Sequence, residues 1–121
     1  VLTRAMAALH NTADKVFLCQ NKEGTYRIPK SSILYFSSDR RIVTCVTQNR
    51  QYAFYAKLDE VAEEMGQAFI RIHQRYLVNA AVIDRIENMT VYIGDARLPV
   101  SRSYQSSAIK ALTHAMLEDV Q

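Results

Sequence analysis

The sequence of 121 residues has little glycine, proline or cysteine, and it has no long hydrophobic run. With only three glycines, it lacks both a glycine-rich loop ending in Lys-Ser or Lys-Thr and a dinucleotide-binding fingerprint, which excludes both kinds of phosphate site. The longest apolar runs, residues 5–9 and 52–56, are far shorter than the roughly 20 residues that a membrane helix needs. A transmembrane span is therefore excluded, and the proportions of apolar (49%) and charged (22%) residues indicate one globular domain.

Reactive and metal-binding side chains are also sparse. Cys19 and Cys45 lie in separate runs of strand-forming residues, and we expect them to be reduced and buried, with a disulfide between neighbouring strands as the alternative. The three histidines are scattered, without the pairing that metal sites favour. Because the HExxH and GxSxG motifs are absent too, the sequence predicts a protein that is not an enzyme and that needs no metal or organic cofactor.

Basic and acidic residues are segregated along the chain, although the formal net charge is only +3. Residues 26–50 hold five basic side chains against one acidic, whereas residues 57–66 hold four acidic side chains against one basic. This segregation is expected of a protein with one phosphate-facing surface and one solvated surface. A soluble domain with uneven surface charge is the alternative at this point.

Alternating apolar and polar residues dominate from residue 15 to residue 100 and predict a mainly β domain of mostly antiparallel strands. Residues 58–66 are helical instead, with apolar side chains opposite four carboxylates, and a second helix is expected after Ser103, which we expect to cap it. Residues 1–12 are interpreted as a linker or the end of a preceding domain, and residues 13–121 as the domain itself. The predicted strands are residues 16–20, 25–28, 33–37, 42–47, 52–56, 69–73, 82–87, 90–93 and 97–100.

The segment from residue 69 to residue 79 has the most distinctive chemistry. On a regular strand Arg71 and His73 point to the same side, opposite two isoleucines, so the strand leads a basic stripe into a polar turn. That turn holds an amide (Gln74) and a guanidinium (Arg75) beside an aromatic ring, a set suited to bases and phosphates. Structural roles for the histidine and the aromatic ring are the alternative.

Five motifs together make the sequence resemble the LytTR domain, the DNA-binding module at the C-terminus of many bacterial response regulators. The most discriminating are Phe-x-Arg-x-His-x-x-Tyr-Leu-Val-Asn at residues 69–79 and Leu-Pro-Val-Ser-Arg at residues 98–102. The others lie at residues 28–36, 38–46 and 58–65, and the resemblance covers about residues 15–115, most of the chain. It implies an elongated arrangement of small, mostly antiparallel sheets with one short helix and a C-terminal helix.

The resemblance also implies that loops, rather than a recognition helix, enter the major groove of double-stranded DNA. Its base-reading positions fall on Arg40, Gln74 and Arg102, whose side chains match the edges of guanine and adenine. Contacts to the DNA backbone are implied for seven further residues, namely Lys30, Arg41, Arg71, His73, Arg75, Ser101 and Ser103. Arg75 and Ser103 depart from the family pattern, which has a small hydroxyl residue and a basic residue at these positions, so phosphate contacts are expected to shift toward the middle loop.

The implied context is a cytoplasmic bacterial transcription regulator of the two-component class, with a covalently linked receiver domain and no membrane partner. The isolated domain is expected to be monomeric, and a second copy on a direct-repeat promoter site is expected to supply affinity. Two other functions are open on the sequence alone. One is a β-rich protein-interaction or sensory module, and the other is single-stranded nucleic-acid binding on an aromatic sheet face formed by Tyr26, Tyr52, Tyr55 and Tyr92.

Overall fold

The computed structural model describes residues 15–120, with side-chain surroundings through residue 117. This part of the chain is mostly β, as predicted, with ten strands and two helices. The linker expected at residues 1–12 lies outside the described residues. The strands are β1 (Val16–Asn21), β2 (Gly24–Pro29), β3 (Ile33–Asp39), β4 (Ile42–Thr47), β5 (Gln51–Tyr55), β6 (Phe69–His73), β7 (Tyr76–Asn79), β8 (Arg85–Glu87), β9 (Thr90–Ile93) and β10 (Ala96–Pro99), and the helices are α1 (Leu58–Met65) and α2 (Gln105–Val120).

A five-stranded antiparallel sheet in the order β5-β4-β3-β7-β6 forms the middle of the molecule. Because β5 and β6 are its two edges, the chain between them must cross the sheet, and α1 makes this crossing over one face. The remaining strands form the β1-β2 hairpin and a three-stranded sheet in the order β10-β9-β8. These are the several small antiparallel sheets that the family resemblance implies.

The first hydrophobic core lies between the central sheet, the β1-β2 hairpin and α1. Alternation along β3 and β4 directs Phe36, Val43 and Cys45 to this face, where they pack with Phe17 of the hairpin and Leu58 of the helix. The rings of Phe17 and Phe36 meet edge to face, with centroids 5.3 Å apart. Burial of each large apolar side chain stabilises the fold by about 1.5–3 kcal/mol, so this core anchors the hairpin and the helix to the sheet.

The second core lies on the other face of the central sheet, beneath the three-stranded sheet and α2. Ile72 of β6 and Val78 of β7 are buried there against Val91 of β9, Leu98 of β10 and Leu112 of α2. The C-terminal helix therefore packs against the sheet, as its apolar stripe predicts. The two cores pack against opposite faces of β7 and so fix this strand in the sheet.

The β7 strand is the element that the sequence analysis does not predict, although it lies between β3 and β6 in the central sheet. Its Leu77 is buried in the first core and its Val78 in the second. A strand that is buried on both faces shows a continuous apolar run instead of an alternation, so the period-two pattern cannot find it.

Two predicted elements begin later in the structure than expected. The strand expected at residues 82–87 begins at Arg85, because Ala80–Val82 form a short 3₁₀ turn. The C-terminal helix begins at Gln105, two residues after the expected cap. Its first turn starts where the N–H of Ala108 donates to the carbonyl of Tyr104 at 2.8 Å, so Ser103 lies in the preceding turn and is exposed.

Cys19 and Cys45 are both free thiols buried in the first core, as expected. Burial raises the pKa of each thiol and brings that of Cys45 to about 12, with Cys19 as a second, smaller cause. The disulfide considered as an alternative is not formed. Since the thiolate is the reactive species, these two cysteines act as small core residues.

Candidate nucleic-acid interface

The turn between β3 and β4 consists of Arg40 and Arg41, because Asp39 and Ile42 are paired on either side of it. Both arginines are exposed. Arg40 adopts a φ of 62°, in the left-handed region that side chains other than glycine rarely occupy. This tight turn therefore places two adjacent exposed arginines at the end of the hairpin.

The turn between β6 and β7 consists of Gln74 and Arg75, which are exposed and flanked by the pair His73 and Tyr76. The Nδ1 atom of His73 accepts a hydrogen bond from the N–H of Arg75 at 3.1 Å. The ring centroids of His73 and Tyr76 are 5.3 Å apart. In a neutral imidazole whose Nδ1 accepts, the proton is on Nε2. His73 therefore keeps one N–H donor that this turn does not use.

The connection between β10 and α2 carries Arg102 and Ser103, both exposed. The N–H of Tyr104 donates to the carbonyl of Ser101 at 3.1 Å, and that of Gln105 donates to Arg102 at 3.3 Å, which form a turn directly before the helix. Arg102 consequently lies at the N-terminal end of α2, where the helix dipole also favours anions.

Backbone hydrogen bonds bring these three connections to one end of the central sheet. The N–H of Ser38, at the end of β3, donates to the carbonyl of Arg75 at 2.9 Å and joins the first turn to the second. The N–H of Ser101 donates to the carbonyl of Ile72 at 2.9 Å and joins the third connection to the second. We call this surface the loop end, and it comprises Arg40, Arg41, Gln74, Arg75 and residues 101–103.

The chain matches the family model described as the LytTr DNA-binding domain over residues 23–113. It belongs to the LytTr DNA-binding domain family. Among solved structures it is similar to one described as the LytTr DNA-binding domain of a methyl-accepting/DNA response regulator from Bacillus cereus, with a TM-score of 0.71 and 24% sequence identity. That alignment covers 81% of this chain and 96% of the other, and it shows a shared fold.

The loop end of this LytTr domain leaves the predicted base-reading side chains available. Arg40, Gln74 and Arg102 are all exposed, and none takes part in an ion pair among residues 15–117. The three predicted base-reading residues are therefore exposed polar side chains at a single end of one sheet.

The fold separates Lys30 from the loop end. Lys30 lies in a 3₁₀ turn that immediately precedes Ile33, the first residue of β3, whereas Arg40 follows Asp39, its last residue. A strand of this length spans about 20 Å at roughly 3.4 Å per residue. The structure thus does not bring Lys30 together with the other predicted backbone contacts.

The side chains of Ser101 and Arg71 lie behind the exposed side chains of the loop end. The hydroxyl of Ser101 is buried without a hydrogen-bond partner among the described residues, so Ser101 is present in the site through its backbone. The guanidinium of Arg71 forms an ion pair with Asp59 of α1, and only 18% of its side chain is exposed. The backbone N–H of Ser101 and the guanidinium of Arg71 bond to protein groups, where the resemblance implies contacts to DNA.

Lys57 is a basic residue of the site that the sequence analysis misses, because it adjoins the acidic helix. The N–H of Ala56 donates to the carbonyl of Arg41 at 3.0 Å, which places Lys57 beside the first turn. The β4-β5 hairpin is the feature that could have identified Lys57. Its register pairs Ile42 with Tyr55, so the end of β5 returns to the loop end. Lys57 is exposed there.

The four tyrosines proposed for single-stranded nucleic acid do not form one face of this LytTr domain. Tyr26 and Tyr52 are half-buried against the first core, with ring centroids 5.0 Å apart. Tyr55 is 75% exposed on the opposite face of β5, and Tyr92 lies in the three-stranded sheet beneath Arg85, whose Cζ is 3.9 Å from the ring centroid. A continuous stacking platform is therefore absent from residues 15–117.

One groove of the described residues differs from the loop end in character. A groove of about 790 Å³ beside α2 has Lys110 and His114 as its titratable lining residues, among mostly small side chains. Within residues 15–117, no group of three or more histidine, cysteine, aspartate or glutamate side chains is placed to hold a metal ion. No helix in the described part is long and apolar enough to cross a membrane.

Proposed function

We propose that this domain binds double-stranded DNA in a sequence-specific manner by inserting the loop end into the major groove. The observation that carries the proposal is the pair of backbone hydrogen bonds, Ser38 to Arg75 and Ser101 to Ile72, that gather three polar connections at one end of a sheet. Membership in the LytTr DNA-binding domain family supports the same function. The strands β3, β6 and β7 pack into a hydrophobic core on each face of the sheet and give these loops a rigid base.

The exposed side chains of the loop end have the chemistry to distinguish base pairs. The guanidinium groups of Arg40 and Arg102 can each donate two hydrogen bonds to O6 and N7 of guanine, and the amide of Gln74 can pair with N6 and N7 of adenine. Each good bidentate pair contributes about 1–3 kcal/mol of discrimination. Three such pairs from separate loops read separated positions of one site.

Contacts to phosphates position the domain on the duplex without reading its sequence. Arg41, Arg75 and Lys57 are exposed cations around the three base-reading side chains. The Nε2–H of His73 and the N-terminal end of α2 near Ser103 add uncharged donors. Their position supports a phosphate role at the rim of the proposed groove contact.

The proposed setting is the output domain of a cytoplasmic bacterial response regulator with a receiver domain elsewhere in the protein. A single small domain reads few base pairs, so two copies on a direct repeat would supply the affinity and the spacing selectivity that a promoter site requires. The isolated domain would then be monomeric in solution and paired on DNA.

The test begins with selection of binding sites from a random-sequence duplex pool by the wild-type chain. The selected duplex and a random duplex are then titrated at several salt concentrations with Arg102→Ala and Gln74→Ala. Arg27→Ala and Gln48→Ala serve as matched controls, because both residues are exposed and lie outside the loop end.

We expect one enriched sequence, with a preference over random duplex that falls at least about fivefold in either loop variant, the lower limit for losing a bidentate pair. The two control variants should keep the wild-type preference. If no sequence is enriched, the domain is a protein-interaction module or a non-specific binder. If Arg102→Ala weakens both duplexes equally, Arg102 contacts phosphate and its base-reading assignment is wrong.

A further inference from the structure

The guanidinium of Arg71 lies behind the turn between β6 and β7 and forms hydrogen bonds to the backbone of that turn. Its Nε–H donates to the carbonyl of His73 at 2.8 Å, and an N–H of Nη2 donates to the carbonyl of Gln74 at 2.8 Å. These acceptors are the last residue of β6 and the first residue of the turn. The planar guanidinium therefore fixes the direction in which the chain leaves the strand.

The third bond of Arg71 connects the turn to a different element. Its Nη1 donates to Oδ1 of Asp59, in the first turn of α1, and this ion pair joins a side chain that is 18% exposed to one that is 82% exposed. A short helix that is anchored in the first core thus holds the guanidinium in place.

Arg71 also contacts the connection that carries Arg102. Its Cζ lies 5.5 Å from the ring centroid of Tyr104, within the range of a cation–π interaction. The N–H of Tyr104 donates to Ser101, so the ring belongs to the same turn as Arg102. One guanidinium therefore touches two of the three base-reading connections.

We infer that Arg71 is a positioning residue for DNA recognition, and that Asp59 is required for this role although it is acidic. This inference rests on the proposed function. Three of the five N–H donors of Arg71 are used within the protein, and the group is mostly covered, so it orients Gln74 relative to Arg102 where the family resemblance implies a phosphate contact. Asp59 enters recognition only through Arg71.

The two possible roles predict opposite effects for the loss of the Asp59 charge. If charge alone matters, Asp59→Asn should tighten binding to every duplex, because it removes a negative group from a DNA-binding protein. If Asp59 holds Arg71 in place, the same substitution should lower the preference for the selected duplex. Glu63→Gln is a matched control, since it makes the same charge change at an exposed position of the same helix.

The experiment measures the affinities of the full chain for the duplex selected by the wild type and for a random duplex, as a function of salt. The variants are Asp59→Asn, Glu63→Gln, Arg71→Lys and Arg71→Gln. Arg71→Lys keeps the charge and loses the planar fork that donates to two carbonyls at once. Arg71→Gln also removes the charge, so it would lower the magnitude of the salt slope by about one if Arg71 contacted a phosphate.

We expect Asp59→Asn and Arg71→Lys to lower the ratio of selected to random affinity at least about fivefold, as for a misplaced bidentate pair. Glu63→Gln should keep the ratio, and Arg71→Gln should keep the salt slope. The inference is overturned if Asp59→Asn behaves like Glu63→Gln, or if Arg71→Gln lowers the slope while the ratio stays constant.

A measurement on the free protein separates failure of this inference from failure of the proposed function. The backbone amide signals of residues 73–76 in ¹⁵N-labelled chain should shift in Asp59→Asn and Arg71→Lys and stay unchanged in Glu63→Gln. Unchanged signals in all three variants refute the positioning role without involving DNA. Shifted signals together with no enriched duplex in the selection refute the DNA-binding proposal and leave the contacts of Arg71 as a purely structural feature.

Discussion

The loop end carries conformational strain at one of its proposed base-reading residues. Arg40 has a φ of 62°, where an L-residue with a side chain costs about 1–2 kcal/mol relative to the right-handed region. Glycine would be the natural residue for such a turn. The proposed base-reading role gives a reason for an arginine in this conformation, which Asn88 and Met89 also adopt in the β8-β9 turn.

Replacing Arg40 by glycine should therefore separate stability from recognition. We expect Arg40→Gly to leave the free energy of unfolding unchanged or to raise it by up to about 1 kcal/mol, because relief of strain offsets the backbone entropy cost of glycine. The preference for the selected duplex should fall, since the guanidinium is lost. Urea denaturation and DNA titration of the same preparation test both expectations.

A matched change at Arg41 tests whether the strain is specific to one residue. Arg41 precedes β4 without a positive φ, so Arg41→Gly should destabilise the chain by about 0.5–1 kcal/mol through the entropy cost alone. Equal destabilisation by both glycine substitutions would contradict the interpretation of Arg40 as a strained functional residue.

At the scale of elements, the sequence predicts strands where apolar and polar residues alternate along the chain. The bounds of β4, β6 and β9 agree with the prediction to the residue, because their burial alternates or their ends meet polar turns. The strand β7 is missed because both of its faces are buried. The alternation of apolar and polar residues along a strand does not show whether other elements cover the second face of that strand.

The candidate site is predictable only in part for a related reason. The residues of the turns follow from the motifs, but the inward direction of Arg71 does not. A regular strand would place Arg71 and His73 on one face, whereas the pairing of β6 with β7 shifts register between these two residues. This irregularity, together with the distant partner Asp59, depends on tertiary contacts that no local pattern encodes.

The side chain of Asn79, the last residue of β7, allows a test of what stabilises this strand in the sheet. Asn79 is 4% exposed, its Nδ2 donates to the carbonyl of Ile33 at 2.9 Å, and its Oδ1 accepts from the N–H of Ala81 at 3.0 Å. Asn79→Ala should lower the free energy of unfolding by about 1–3 kcal/mol, because it leaves a buried carbonyl and an N–H unpaired. Urea denaturation measures the change.

Asn49→Ala is the control for this prediction, since Asn49 is exposed in the β4-β5 turn and its side chain makes none of the described hydrogen bonds. It should change stability by no more than about 0.5 kcal/mol, as surface substitutions usually do. Folded Asn79→Ala should keep its preference for the selected duplex, because Asn79 lies at the opposite end of β7 from Gln74. Similar destabilisation by both substitutions would show that the side chain of Asn79 does not hold the strand.

At the scale of the whole molecule, the position of a basic residue in the fold matters more than its position in the sequence. Lys30 lies in the basic stretch of the chain and Lys57 adjoins an acidic helix, so charge counting favours Lys30. The central sheet reverses this ranking, because it places Lys57 next to Arg41 and places Lys30 one strand length away.

Salt dependence distinguishes the two lysines. Each phosphate contact contributes about 0.9 to the slope of log K against log salt on duplex DNA. We therefore expect Lys57→Gln to reduce the magnitude of the slope by about one and to weaken selected and random duplexes equally, whereas Lys30→Gln should leave the slope at the wild-type value. Both substitutions remove one positive charge, so their difference reports position and not net charge. A reduced slope in Lys30→Gln with an unchanged slope in Lys57→Gln would mean that DNA lies along the opposite end of the central sheet, and the loop end would then not be the surface that enters the groove.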